Sequence, residues 1–276
     1  MAGVRVLAYA KLNLVLRVVG HREDGYHLLQ TLMCAVDLAD ELTLSLAEGI
    51  SLVTEGLAVP QEGNLALQAA QLLAREAGVE RGVHIHLVKK IPAGAGLGGG
   101  SSDAAAVLVG LNRLWELGLG LSELRKYAVS LGADVPFFLS ESPAWAEGIG
   151  ERLSPAQVDL PAAFLIAVPP FRCPTEAVYR AYDRLQLPFS PPARDWEGEF
   201  ENDLWPAALA VCPQLLPLRE GLEKLGGLGV GMTGSGSALF CAFASAGQAQ
   251  DAARRLEFPG QVFIARPLRR GYKFVG

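Results

Sequence analysis

Cysteine is scarce in this chain of 276 residues, and the four present (Cys34, Cys173, Cys212 and Cys241) stand far apart with no Cys-x-x-Cys pair. That spacing excludes a disulfide scaffold and reads as reduced, mostly buried thiols of a cytoplasmic protein. Long hydrophobic runs are also missing. No apolar stretch reaches the ~18 residues that span a bilayer, so no membrane partner is expected. Met1–Ala8 has no basic leader followed by a long apolar core, so no secretion signal is expected either. Positive charge is not in excess: 24 Lys and Arg against 29 Asp and Glu leave a formal net charge of −5. That balance argues against nucleic acid as the main partner. Histidine is as rare as cysteine. His84 and His86 share one strand face, but no second ligand pair with suitable spacing accompanies them, so their expected role is structural. The dipeptide Gly-Lys is absent, which excludes a Walker A loop.

Glycine, by contrast, is plentiful, and its densest run carries the strongest signal. Between Gly94 and Gly100 five of seven residues lack a side chain. Such a backbone can adopt positive φ angles and approach a ligand closely. Val83–Val88 alternates like a strand before it, and an alanine-rich helix is expected from about Ser102 to Leu117. Successive N–H groups in such a turn form a nest for anions, to which the helix adds its dipole and free amides. Pro92, Ala93, Gly94, Ala95, Gly96, Leu97, Gly98, Gly99, Gly100, Ser101 and Ser102 are therefore the candidate phosphate-binding segment. Ser101 and Ser102 are expected at the helix start, free to cap it or to reach a phosphate or its metal. A dinucleotide fingerprint can be traced through Gly94, Gly96 and Gly99. It lacks the second strand and its terminal acid, because Gly118–Ser122 leads into another helix instead.

Strand-like segments are expected at Val4–Leu7, Leu12–Val19, Glu41–Leu46, Ile50–Val53, Phe164–Val168, Gly227–Met232, Ser237–Phe243 and Val262–Ala265. Helices are expected at Asn64–Ala77, Ser122–Leu131, Thr175–Leu187 and Ala246–Leu256. Strands and helices mix without a βαβα alternation, which favours α+β layers. A change of pattern near Glu151–Pro161 divides the chain into domains 1–155 and 156–276. A second glycine-rich turn, Gly229–Ser237, lies between two strands and suggests two backbones closing on one ligand.

Five segments occur in order: Ala10-Lys11-Leu12-Asn13-Leu14, Arg22–His27, Gly96–Asp103, Gly132-Ala-Asp-Val-Pro-Phe-Phe138 and Met232–Ser237. Together with Pro92 they resemble the GHMP family of small-molecule kinases over nearly the whole chain. After Phe138 the family continues with a Gly-Gly turn, where this chain has Leu139-Ser-Glu-Ser-Pro143.

The resemblance implies an N-terminal domain like domain 2 of ribosomal protein S5 and a ferredoxin-like C-terminal domain, with ATP and Mg²⁺ in the cleft between them. It implies Asp134 as the catalytic base, Lys11 beside it, and Asn64 near the adenine. It also implies a small-molecule cytidyl diphosphate substrate bound by Asn13, Tyr26, His27, Thr175 and Tyr179, the two tyrosines sandwiching the ring and His27 reading its edge. Read without the family, Asp134 is an ordinary turn residue and Tyr179 a core aromatic. The metal ligands stay open, as does the choice between Ser101 and Ser102 at the phosphates, and a homoserine- or mevalonate-type GHMP kinase is the alternative. A monomer or weak dimer is expected.

Overall fold

The computed structural model describes residues 3–23, 25–57, 63–193 and 195–276. Asp24, part of the Arg22–His27 segment, lies outside them. Two long strands open the chain, β1 (Val4–His21) and β2 (His27–Ala47), paired antiparallel from Val4↔Leu44 to His21↔His27. Then follow β3 (Ile50–Gly56), α1 (Leu65–Ala77), β4 (Gly82–Lys89), α2 (Gly99–Leu114), α3 (Leu121–Leu131), α4 (Val135–Phe138), β5 (Ala144–Gly148) and β6 (Arg152–Pro155). The second half contains β7 (Ala163–Val168), α5 (Thr175–Arg184), β8 (Glu201–Asn202), α6 (Trp205–Val211), α7 (Leu215–Glu223), β9 (Gly229–Met232) and β10 (Leu239–Phe243). It ends with α8 (Ala246–Arg255), β11 (Gln261–Ala265), β12 (Pro267–Leu268) and β13 (Tyr272–Val275).

These elements form two sheets, one ordered β13-β1-β2-β4-β3 and the other β11-β7-β10-β9. Both sheets carry helices, which makes an α+β molecule. The expected division at residue 155 fails at the C-terminus. β12 pairs with β2 and β13 with β1, so the last residues complete the first sheet rather than staying in the second half.

β1 and β2 depart most from expectation. The sequence suggests a break at Ala8–Lys11, but β1 is continuous and absorbs the irregularity as register shifts, the first between Tyr9 and Ala10. Such bulges re-aim side chains without ending the strand. β2 begins at His27, well before the alternation at Glu41 reveals it. Residues 10–16 of β1 are buried on both faces. The strand passes through three apolar clusters in turn. Val6 and Ala8 join the core under α1 and α2, Ala10, Leu12 and Leu14 join the seam with the second sheet, and Leu16 and Val18 join the C-terminal core. Burial on both faces removes the polar–apolar alternation that marks a half-buried strand.

The alanines of α2 have a packing purpose. Ala104, Ala105 and Ala106 are fully buried with Ala66, Ala69 and Ala70 of α1 in the same core. Gly110 extends that economy, since a Cβ there would sit 2.2 Å from Leu44 Cδ1. These small residues let α2 pack closely on α1 and on the first sheet.

Candidate active site

The glycine loop joins β4 to α2 and lines an open cavity of about 340 Å³ with Asn64, Lys89 and Asp103. Gly94, Gly96 and Gly98 take φ values of 72°, 80° and 71°, the left-handed region that other residues resist. Pro92, Ala93, Leu97, Gly99, Gly100 and Ser101 also line the cavity, whereas Ala95 and Ser102 are buried outside its lining. The helix starts three residues earlier than expected. Gly98 is the N-cap, so Ser101 and Ser102 lie inside the first turn and do not cap it. The buried Ser102 Oγ has no hydrogen-bond partner among the described residues. Asn64 does cap a helix: its Oδ1 accepts the Ala66 N–H at 2.9 Å at the start of α1.

The second glycine turn closes on the first. Thr233 Oγ1 donates to the Gly96 carbonyl at 2.8 Å, and Ala238 N–H donates to the Ala95 carbonyl at 3.1 Å. A Cβ on Gly96 would meet the Thr233 carbonyl at 2.1 Å, so glycine is required there for a second reason. From the other side, Lys11 N–H donates to the Leu97 carbonyl at 3.0 Å. The loop is held from two sides, by the second glycine turn and by β1.

Beneath it lies a buried charge cluster that spacing did not reveal. Lys89 Nζ donates to Asp40 and, at 2.6 Å, to Asp103 Oδ2 in the first turn of α2. Asp40 Oδ1 accepts the N–H groups of Lys90 and Ile91 at 2.5 and 2.8 Å, fixing the chain as it enters the loop. Burial works against the Lys89 charge, but Asp103 and Asp40 beside it hold its pKa above the ordinary lysine value. Burial, with the Asp40 charge behind it, pushes Asp103 well above the usual carboxylate range despite Lys89. The only sequence signal was an aspartate three residues past the glycines.

Lys11 of β1 and Asp134 at the start of α4 come together. Lys11 Nζ lies 3.6 Å from Asp134 Oδ2, with the lysine buried and the carboxylate 37% exposed. Asp134 stands at the N-cap of the short α4, where Pro136 fixes the turn. Gly98 makes room for the pair: a Cβ there would lie 3.0 Å from Lys11 Cγ and 2.9 Å from the Phe138 ring. Asn13, expected at the substrate, is tied into this network. Its Oδ1 accepts Lys11 Nζ at 2.5 Å and Gly234 N–H at 2.8 Å, and its Nδ2 donates to Thr31 Oγ1 at 2.8 Å. A buried amide must find such partners, and here they are protein groups.

The remaining residues gather around the β1–β2 hairpin and α5. Tyr26, on the hairpin between β1 and β2, is 63% exposed. His27 is buried, with its ring 4.8 Å from that of Tyr179 and 5.6 Å from that of Tyr182. Tyr179 also packs on the C-terminal core, so part of the bland reading of this residue holds. Burial, and then the Asp134 charge, raise its pKa, which keeps the phenol neutral. Thr175 begins α5, and its Oγ1 lies 2.9 Å from Ser235 Oγ of the second glycine turn. Asp183, not singled out from the sequence, reaches His27 Nε2 at 2.8 Å. It follows Tyr179 by four residues on α5, so the two side chains share a face. No helix among the described residues is long and apolar enough to cross a membrane.

Comparison with known proteins gives the same pattern. Residues 64–142 match the GHMP kinases N terminal domain and residues 194–261 the GHMP kinases C terminal domain. The 4-diphosphocytidyl-2-C-methyl-D-erythritol kinase of Nitrosospira multiformis is 46% identical over 269 residues, covering 95% of this chain and 90% of the relative. A crystal structure of 4-(cytidine 5'-diphospho)-2C-methyl-D-erythritol kinase superposes with a TM-score of 0.81 at 38% identity, covering 95% of this chain and 98% of that one. Homoserine kinase from Cytophaga hutchinsonii shares the fold alone, with a TM-score of 0.76 at 19% identity over 100% of this chain and 98% of that one.

Proposed function

The chain belongs to the GHMP kinases, and from that premise we propose that it phosphorylates 4-diphosphocytidyl-2-C-methyl-D-erythritol on its 2-hydroxyl, with ATP as donor. One observation carries the chemistry: a half-exposed carboxylate beside a buried ammonium, at the edge of a glycine nest. The substrate oxygen attacks the γ-phosphorus as the bond to the ADP oxygen breaks, and Asp134 takes the hydroxyl proton. Lys11, 3.6 Å from that carboxylate, attracts the developing negative charge. Asn13 holds Lys11 in place and borders the substrate's polar chain.

The loop amides from Gly94 to Ser101 and the α2 N-terminus cradle the phosphates. The orphaned Ser102 hydroxyl suits a ligand of the Mg²⁺ that accompanies ATP. When bound, that ion neutralises phosphate charge. Asn64 lines the same cavity and is the residue nearest the adenine in this reading. Tyr26 and Tyr179 flank the cytosine, His27 reads its edge, and Thr175 borders the substrate. The four buried thiols suit a reducing compartment, which supports action in the cytoplasm.

The test is Asp134→Asn, which keeps the shape and removes the proton acceptor. Turnover should fall by about 10²-fold or more with little change in either ligand's affinity. Near-normal kcat in a folded variant rules out Asp134 as the base. ATP consumption compared across the cytidyl substrate, homoserine and mevalonate tests the acceptor, and preference for either of the others overturns the substrate assignment.

A further inference from the structure

His84 and His86, the pair visible as spacing in the sequence, are occupied elsewhere: His84 meets Ser51 and His86 meets Glu55 on neighbouring β3. The histidines that converge are His21 and His27. They are directly opposed in the β1–β2 ladder, so their side chains leave the same face of the sheet. α5 brings Asp183 up to them. His21 Nε2 and His27 Nε2 lie 3.0 Å apart, His27 Nε2 and Asp183 Oδ1 2.8 Å, and His21 Nε2 and Asp183 Oδ1 3.6 Å.

We propose that His21, His27 and Asp183 form a binding site for a zinc-class divalent cation. Its effect on the substrate, though not the site itself, rests on the function proposed above. Three observations support it. First, the triangle is the right size. Zinc bonds of about 2.0–2.2 Å to nitrogen and oxygen give tetrahedral edges of roughly 3.3–3.6 Å. The separations of 3.0 and 2.8 Å fall short of that and the one of 3.6 Å matches it, so small side-chain rotations complete the triangle. Second, protons satisfy the triangle poorly. A neutral imidazole Nε2 either donates or accepts, and His27 Nε2 faces two partners with at most one hydrogen. If it donates to Asp183, His21 shares that same hydrogen. If it accepts from His21, its lone pair faces a carboxylate. A divalent cation takes all three lone pairs at once. Third, the rings are already oriented: His21 stacks on Phe189 at 6.1 Å and 30°, while Tyr179 and Tyr182 flank His27.

The donor set selects the ion. Two imidazoles and one carboxylate suit Zn²⁺ and its neighbours, whereas Mg²⁺ prefers oxygen ligands in an octahedron. The Mg²⁺ that travels with ATP does not compete. His21 and Asp183 are exposed, so an ion can enter from solvent. A fourth position stays open to water. An ion held there occupies the His27 nitrogen that would otherwise read the cytosine edge, so cation and cytidyl substrate exclude one another.

Co²⁺ is the probe, titrated into the full chain with Mg²⁺ present and followed by the visible bands of tetrahedral Co²⁺. We expect one equivalent to bind and Zn²⁺ to displace it, with no thiolate band in the near-ultraviolet because the four cysteines are buried. His21→Ala and Asp183→Asn each should weaken Co²⁺ binding by about tenfold or more with unchanged circular dichroism. Absence of a saturable one-equivalent site, or equal affinity in wild type and both variants, overturns the proposal. In the kinase assay, Zn²⁺ should raise the KM for the cytidyl substrate and leave that for ATP unchanged, and His21→Ala should remove this sensitivity. Co²⁺ bound at these residues with no effect on that KM would uphold the cation site and instead count against His27 at the cytosine.

Discussion

At one end of the cleft the ligand would meet backbone; at the other it would meet side chains. The phosphate end consists of amides from Gly94 to Ser101, clasped by Thr233, Ala238 and Lys11 and underpinned by the Asp40–Lys89–Asp103 cluster. The base end consists of Tyr26 on an exposed hairpin and of His27, Tyr179 and Asp183, two of them from one face of α5. A backbone nest works only if its neighbours hold every peptide in place, so its tolerance for change is low. A side-chain site can lose one ring and keep its frame. Damage at the first end should therefore spread, and damage at the second should stay local.

Lys89→Met should break the contrast most severely. It leaves Asp40 and Asp103 buried without their cation, and removing one partner of such a group costs about 3–5 kcal/mol. Urea denaturation would measure the loss. Its pH dependence has a definite sign. A carboxyl whose folded pKa is raised favours the fold below its unfolded pKa and loses that contribution as pH climbs through the folded value. The Asp103 pKa is already raised, and losing Lys89 raises it further. The deficit should then shrink in acid and widen as pH rises above the ordinary carboxylate range. A deficit that is the same at all pH values would mean that Lys89 acts through packing.

Gly98→Val comes next. The residue sits at φ 71°, where a β-branched side chain is strained, and its new atoms would strike Lys11 and Phe138. Both ATP binding and turnover should suffer, with a fall in kcat of at least tenfold as Lys11 is displaced. If ATP affinity falls alone and kcat at saturation is normal, the nest and the Lys11–Asp134 pair are less tightly joined than the contacts indicate.

The smallest effect is expected at the base end. Tyr26→Ala should weaken the cytidyl substrate by about 1–3 kcal/mol, the range for loss of one stacked base. Calorimetry should show ATP binding and thermal stability unchanged. A matching loss of ATP affinity would remove the distinction between the two ends.

The same contrast explains what could be read in advance. Backbone recognition requires that side chains be missing, and five glycines in seven residues announce that directly. The pairing of the two glycine turns was legible for the same reason. Lys89 and Asp40 were not, because a buried ion pair across 49 residues leaves no local pattern. The continuity of β1 through Ala8–Lys11 and the start of β2 were obscured, because burial on both faces over residues 10–16 and 30–36 erases the alternation. Asn13 was visible as a polar residue in an apolar strand, but its partners Thr31 and Gly234 lie far off in the chain, so its direction could not be read. Tyr179 and Asp183 look like ordinary helix residues until the fold sets α5 beside the hairpin.

The return of β13 to β1 bears on how the protein is made. Arg5 pairs with Val275, so one edge of the first strand stays open until residue 275 has left the ribosome. At roughly 5–20 residues per second that wait is on the order of tens of seconds. An unpaired strand edge is a template for a neighbouring chain, and on a crowded polysome the nearest neighbours are identical copies. Slower translation of the codons between β1 and β13 would prolong that exposure and lower soluble yield, with no change in the stability of the finished fold.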